Sequence, residues 1–295
     1  MSKPSAWDVV QTARDLERPT SQYFIDHIFT DFTEMHGDKL YGDDAAIVGG
    51  VGWLGDMPVT VIGQEKGVTL SEKARCNFGS AHPEGYRKSL RLMKQAEKFG
   101  RPVVCIVDTQ GAFCGVGAEE RGMGEAIARN MLELSRLKTP VVSVLIGEGG
   151  SGGAIALAVS DRLAMLENSI YTILSPEGFS SILWKEAARA PEAAELMRVT
   201  AAEVYDMGLV DDVIPEPEGG AKQNDDGAFA QQVRSYLEEQ LAMLTKEPVA
   251  SLLEKRYQKF RGFGKEYIVR LPQEKRKQAS SSLQTLKKRP LTTEK

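Results

Sequence analysis

Gly147-Glu148-Gly149-Gly150-Ser151-Gly152-Gly153 lies between a strand-like run, residues 141–146, and a helix-like run, residues 154–163. Five glycines in seven residues leave backbone N–H groups unshielded by side chains. At a helix start such groups point outward with the positive end of the dipole behind them, a setting for a phosphate or a developing oxyanion. Gly147, Gly149 and Gly152 match G-x-G-x-x-G. The match falls mid-chain, however, and Glu167, the nearest carboxylate after the helix, comes too early for a dinucleotide site. Gly149, Ser151 and Gly153 match G-x-S-x-G, in which a histidine base follows the serine, but His27, His36 and His82 all precede it. The order His82, Asp108, Ser151 imitates another protease class, and nothing in the sequence brings the three together. Ser151 reads more simply as a small N-cap hydroxyl.

Outward from this stretch the chain alternates strand-like and helix-like runs. Before it come a helix from Pro83 bearing Tyr86, Leu90, Met93 and Phe99, a strand at 103–107, a loop at 108–117 and a helix at 119–137. After it come a strand at 171–174, helices at 179–184 and 192–207, and a strand at 209–214. Such repeats predict a parallel sheet with right-handed crossovers. Earlier still, runs 46–51 and 59–63 flank the turn Gly55-Asp56-Met57-Pro58 and read as a hairpin. Tyr23, Phe24, Ile28 and Phe32 recur at helical spacing on a helix expected to dock at a subunit contact, as are the helices at 229–244 and 249–260. Residues 215–227, rich in Pro, Gly and Asp, read as a linker.

At 295 residues and 42% hydrophobic content the chain can bury a sizeable core. No apolar run approaches the roughly 20 residues of a membrane span, and the first thirty residues lack a signal-peptide pattern, so a cytoplasmic location is expected. Cys76, Cys105 and Cys114 have no C-x-x-C spacing, and with three scattered histidines neither a disulfide framework nor a metal site is expected. The net charge of −4 is unevenly spread: from Lys265 onward nine Lys or Arg face three Glu, which leaves −10 on residues 1–264. The basic end, 265–295, reads as a solvated, disordered tail, and nucleic-acid binding is not expected of it.

The loop at 108–117 leads into Glu119-Glu120-Arg121-Gly122. Two acids at a helix start suit its dipole. As a hydratase-like acid/base pair they would diverge by about 100° on the helix surface. Cys114 in the same loop lacks a nearby histidine in sequence and reads as a small packed residue rather than a nucleophile. Lys94 sits in an apolar-periodic helix, which is not the setting of a biotin-attachment lysine.

Taken together, six segments resemble a known family: 80–97 with Pro83-Glu84-Gly85-Tyr86-Arg87-Lys88, Gly117-Ala118-Glu119-Glu120-Arg121-Gly122, 147–153, Ser175-Pro176-Glu177-Gly178, Ile182-Leu183-Trp184-Lys185, and Glu216-Pro217-Glu218-Gly219-Gly220-Ala221. They are similar to the α subunits of bacterial acetyl-coenzyme A carboxylase carboxyltransferases over about residues 20–264. The resemblance implies an α/β, crotonase-type spiral of ββα units at 42–264, including C-terminal helices, after an N-terminal helical segment at 1–41. It implies transfer of a carboxyl group from carboxybiotin, on a separate biotin carboxyl carrier protein, to acetyl-CoA, giving malonyl-CoA in the first committed step of fatty-acid biosynthesis. The partner implied is a zinc-ribbon β subunit in an α2β2 heterotetramer, with no metal in this chain. By position, the amides of Gly152 and Gly153 would hold the biotin ureido oxygen, Gly149 and Gly150 would shape the turn, and Gly111 and Ala112 would line the same cavity. The family usually has Pro where Gln110 stands and His-Arg where Lys222-Gln223 stand, and the basic tail is not a general family feature. A stand-alone acyl-CoA hydratase or isomerase using Glu119 or Glu120 is the alternative.

Overall fold

A computed structural model describes residues 4–223 and 226–265, so the basic tail beyond Lys265 lies outside the described residues. The described residues up to Lys259 form one compact unit. The chain opens with α1 (Ala6–Ala13), where the Ser5 hydroxyl accepts from Asp8 N and the Asp8 carboxylate accepts from Ser5 N, a reciprocal cap. Helix α2 (Ser21–Ile28) precedes strand β1 (Thr30–Glu34). The helix expected to run through Phe32 therefore stops four residues short: Phe29 is extended and Asp31 has φ 49°, which turns the chain into β1. Strands β2 (Ile47–Leu54) and β3 (Met57–Gln64) make the expected hairpin, closed by Leu54 opposite Met57.

Next come α3 (Leu70–Arg75), α4 (Pro83–Phe99), β4 (Val103–Thr109), α5 (Val116–Glu120), α6 (Met123–Ser135) and β5 (Val141–Gly150). Proline opens α4 and Gly100, at φ 66°, ends it. The helix expected at 119–137 is two, because Gly122 at φ 83° breaks it. Then follow α7 (Ser151–Ala158), β6 (Arg162–Leu166), β7 (Ile170–Thr172), α8 (Pro176–Trp184), α9 (Ala190–Met197), α10 (Ala201–Asp206), β8 (Asp212–Ile214), α11 (Ala228–Leu244) and α12 (Val249–Gly262). The run 192–207 is likewise split, at Arg198 (φ 54°) and at the Thr200 cap answered by Glu203. The run 154–163 ends as helix at Ala158, and Leu163 belongs to β6.

The strand order is β1-β2-β3-β4-β5-β6-β8. The pairs from β1 to β3 are antiparallel, and those from β3 through β8 are parallel. Strand β5 has two partners along one side of its length: Val142 to Leu145 face β6, and Glu148 to Gly150 face β7. The sheet thus divides where the glycine stretch begins. One face is covered by α2 and α11, with Phe24 and Phe229 rings 6.2 Å apart over Val104, Ile106, Val142 and Val144. Alternation along β4 and β5 turns Cys105 and Ser143 to the other face, where the Ser143 hydroxyl donates to Leu157 O of α7. The apolar faces of α2 and α11, expected at subunit contacts, are used within the chain. Helix α12 is tied down by fully buried Arg256, which donates to Asp161 (2.6 and 2.7 Å) and to the carbonyls of Leu134, Leu137 and Thr139.

Candidate active site

Strands β3, β4 and β5 are parallel neighbours, so the segments that leave their carboxyl ends meet along one edge, the usual place for a site in an α/β sheet. A cleft of about 1000 Å³ opens there, lined among others by Gly111, Ala112, Ile127, Gly150, Ser151 and Gly152. Strand β5 passes into α7 with no loop between, and the turn is made at Ser151, whose φ is 52°. Gly150 is the N-cap residue, and no side chain caps the helix. The expected role of Ser151 as N-cap hydroxyl is therefore not what the structure has. It is an exposed residue at a sharp strand-to-helix turn.

The six glycine-loop candidates divide into a wall and its backing. Gly111, Ala112, Gly150 and Gly152 line the cleft. Gly150 touches the facing loop so closely that a Cβ would sit 2.2 Å from Gln110 O. Gly149 lies behind, between Leu145 and Tyr171, and Gly153 is buried beneath Gly111 and Ala112, its carbonyl accepting from Gln64 Nε2 at 2.9 Å. In the loop packed against Gly150 and Gly153, Thr109 Oγ1 accepts from Gly111 N at 3.0 Å and donates to Gly111 O at 2.9 Å, which fixes that part of the wall.

Other candidates are not assembled. Asp108 binds Lys66, while His82 stacks on Phe113 at 4.2 Å and contacts Asn77, so the His82, Asp108, Ser151 order does not make a triad. Glu119 and Glu120 are exposed on α5 and are not among the cleft-lining residues. Cys114, expected to be packed, is exposed and lines the cleft. Lys94 is exposed and paired with Glu97 and Glu133. The stretch after β8, expected as a linker, is anchored: buried Glu216 receives Arg18 Nη2 at 2.6 Å and the amides of Asn168 and Ala221.

A charged floor to the cleft escaped the reading of the sequence. Lys66 Nζ stands 2.7 Å from Asp108 Oδ1 and 2.9 Å from Glu148 Oε2, Arg14 Nε is 2.8 Å from Glu148 Oε1, and Arg14 Nη1 reaches Glu177 at 2.7 Å. Asp108 Oδ1 also accepts from Glu148 N at 2.8 Å. Burial opposes the Lys66 ammonium, but Asp108 and Glu148 together outweigh it and raise its pKa. Burial likewise opposes the Glu148 carboxylate, and Lys66 and Arg14 hold its pKa below the usual range. The available signal was that apolar runs ending near Gly63, Val107 and Ile146 are each followed within three residues by a charge, Lys66, Asp108 and Glu148.

Among the described residues no helix is long and apolar enough to cross a membrane. Residues 1–264 match the family model described as acetyl co-enzyme A carboxylase carboxyltransferase-like. The chain is 58% identical over 259 residues to the acetyl-coenzyme A carboxylase carboxyl transferase subunit alpha of Clostridium acetobutylicum, covering 88% of this chain and 94% of that one. It is 56% identical over 255 residues to the corresponding protein of Streptococcus pneumoniae, covering 86% and 98%. Among solved structures it is similar in fold to transcarboxylase 12S (TM-score 0.66, 17% identity, 82% of this chain and 44% of that one). It is also similar to the Pseudomonas malonate decarboxylase MdcD-MdcE hetero-dimer (TM-score 0.58, 20% identity, 75% and 89%). The mixed α/β fold with its parallel sheet is thus that of crotonase-like carboxyltransferases, and the chain belongs to the acetyl-CoA carboxylase carboxyltransferase α-subunit family.

Proposed function

We propose that this chain, joined to a zinc-ribbon β subunit in an α2β2 assembly, transfers a carboxyl group to acetyl-CoA from carboxybiotin borne on a separate carrier protein. Biotin supplies the carboxyl group and, as that group leaves, a ureido oxygen that takes on negative charge. The observation that carries the reading is the junction of β5 and α7. Gly150 and Gly152 line a cleft of about 1000 Å³ without side chains of their own, at the positive end of a helix whose first N–H groups have no partner within it. Ile127, Ile173 and Leu174 add apolar wall to the same cleft, which suits a neutral ring.

The residues of this chain then have defined tasks. The amide of Gly152, which lines the cleft, is the first donor for the oxygen, and the amide of Gly153, one residue further into the first turn of α7 and behind the lining, is assigned as the second; both are fixed by the backbone and need no side chain to reorganise. Gly150 brings the facing wall at Gln110 close, and Gly111 and Ala112 exclude water opposite. Enolisation of the acetyl thioester needs a second set of donors, which we assign to the β subunit. Catalysis by Glu119 or Glu120 is disfavoured by their place outside the cleft lining. The test is malonyl-CoA decarboxylation with free biotin, measured for this chain alone and with the β subunit: turnover is expected only from the mixture. Equal rates from the isolated chain would refute the divided site, and hydration of crotonyl-CoA by the isolated chain would favour the hydratase alternative.

A further inference from the structure

We propose that Lys66 is a positioning residue for carboxyl transfer: its ammonium, bridging Asp108 and Glu148, holds the ends of β4 and β5 at the spacing that opens the first amides of α7 to the cleft. The inference rests on the carboxyltransfer reading above. Glu148 is held at three atoms, Oε1 by Arg14, Oε2 by Lys66, and its amide by Asp108. It lies two residues before Gly150 in the same strand, with α7 following directly, so no flexible segment separates the clamp from the glycine wall. Asp108 is equally close to the loop that packs on that wall, since Thr109 next to it fixes Gly111 through its hydroxyl. A shift of either carboxylate therefore moves the glycine turn relative to the 110–112 loop packed on it.

The chemistry of the cluster favours geometry over stability as its use. Buried ion pairs contribute little net stability relative to apolar packing, because desolvation offsets the attraction. Three charges from three consecutive strand ends nevertheless meet on the cleft floor, and Lys66 is shared by both carboxylates. Most charged groups around them have partners of their own. Arg14 also holds Glu177, Arg18 is bound to Glu216, Asp15 to Lys222, and Glu65 accepts the amides of Gln22 and Gly67; Lys73 lines the cleft from α3. Without Lys66, Arg14 still balances Glu148, whereas Asp108, whose pKa burial already raises, loses the cation beside it and must keep a proton to remain in place.

The experiment uses the chain assembled with its β subunit and follows malonyl-CoA decarboxylation with biotin from pH 6 to 9. It compares the wild type, Lys66→Met and the double variant Lys66→Met/Asp108→Asn, with thermal melts of each. Lys66→Met is expected to lower kcat about 10²-fold, the cost of a misplacement near 1 Å, with KM for malonyl-CoA within about twofold of wild type. Its residual kcat should fall further as pH rises, relative to wild type, as the retained proton is lost. In the double variant asparagine keeps the acceptor for the Glu148 amide and restores charge balance but not the bridge. That variant should lose the extra pH dependence while kcat stays about 10²-fold down, and it decides the matter if Lys66→Met does not fold. Wild-type kcat in either variant, or a wild-type pH profile in folded Lys66→Met, overturns the inference while an active wild-type complex leaves the reaction assignment standing. An inactive wild-type complex overturns the reaction assignment and the inference with it.

Discussion

Gly152 and Gly153 are adjacent, both expected to supply amides, yet the structure predicts opposite consequences for adding a side chain. A Cβ on Gly152 would meet Ile127 Cδ1 at 3.5 Å and Cγ2 at 3.7 Å, ordinary van der Waals distances, and would project where the residue lines the cleft. Its φ is not in the left-handed region, so alanine fits the backbone and replaces the poorest helix former after proline, a change between zero and about 1 kcal/mol in favour of folding. A Cβ on Gly153 would lie 2.6 Å from Ala112 N and 2.9 Å from Gly111 C, both backbone, and 2.9 Å from the Tyr86 hydroxyl. Relief requires moving the facing loop, at a cost of about 1–3 kcal/mol, or roughly 2–4 °C of melting temperature for each kcal/mol. Gly152→Ala should therefore melt at or above wild type, Gly153→Ala below it. In purified complexes with the β subunit, Gly152→Val should lose about 10²–10³ in kcat with its melting temperature kept, because the branched side chain stands where the acceptor oxygen must approach the amides. Ser151→Ala, which leaves every amide in place, should keep most of its turnover. Wild-type kcat in Gly152→Val, or a dead Ser151→Ala, would refute a backbone site and point to the hydroxyl.

Truncation after Gly264 removes the basic tail and leaves the entire span that matches the family, so assembly and turnover should survive in 0.15 M salt; a truncated complex that assembles but has lost turnover would contradict this. Asp38 should contribute to acid sensitivity. Burial opposes its carboxylate, but the amides of Leu40, Tyr41 and Gly42 together with Arg87 outweigh it and bring the pKa from 3.8 down to about 2. With the folded value depressed, this stabilisation is complete above pH 3.8 and disappears as pH falls through about 2. Denaturant titrations between pH 2 and 5 should show a shallower loss of stability for Asp38→Asn than for wild type, and identical slopes would exclude the assignment.

The glycine stretch was legible because its signal is local: five glycines in seven residues between a strand pattern and a helix pattern say what they do without reference to any distant residue. The hairpin and the parallel run of strands were legible for the same reason. The end of α7 was not, since Ala154, Ala156, Leu157 and Ala158 are all buried and leave no amphipathic stripe to stop at Ala158, so the apolar run reads on into β6. The breaks at Gly122 and Arg198 are backbone events with little side-chain signature, and Arg198 takes the left-handed region without being glycine. The charged floor was invisible for a topological reason. Arg14, Lys66, Asp108, Glu148 and Glu177 are separated by 29 to 52 residues along the chain; Lys66, Asp108 and Glu148 meet because β3, β4 and β5 run parallel and leave the sheet at one edge, and Arg14 and Glu177 join them from the end of α1 and from α8. The parallel order was itself predicted from the alternation of strands and helices. A charge within two residues of the carboxyl end of each of three consecutive strands is then a statement about one place rather than three, and it is at that place that Lys66 can act on the glycine wall.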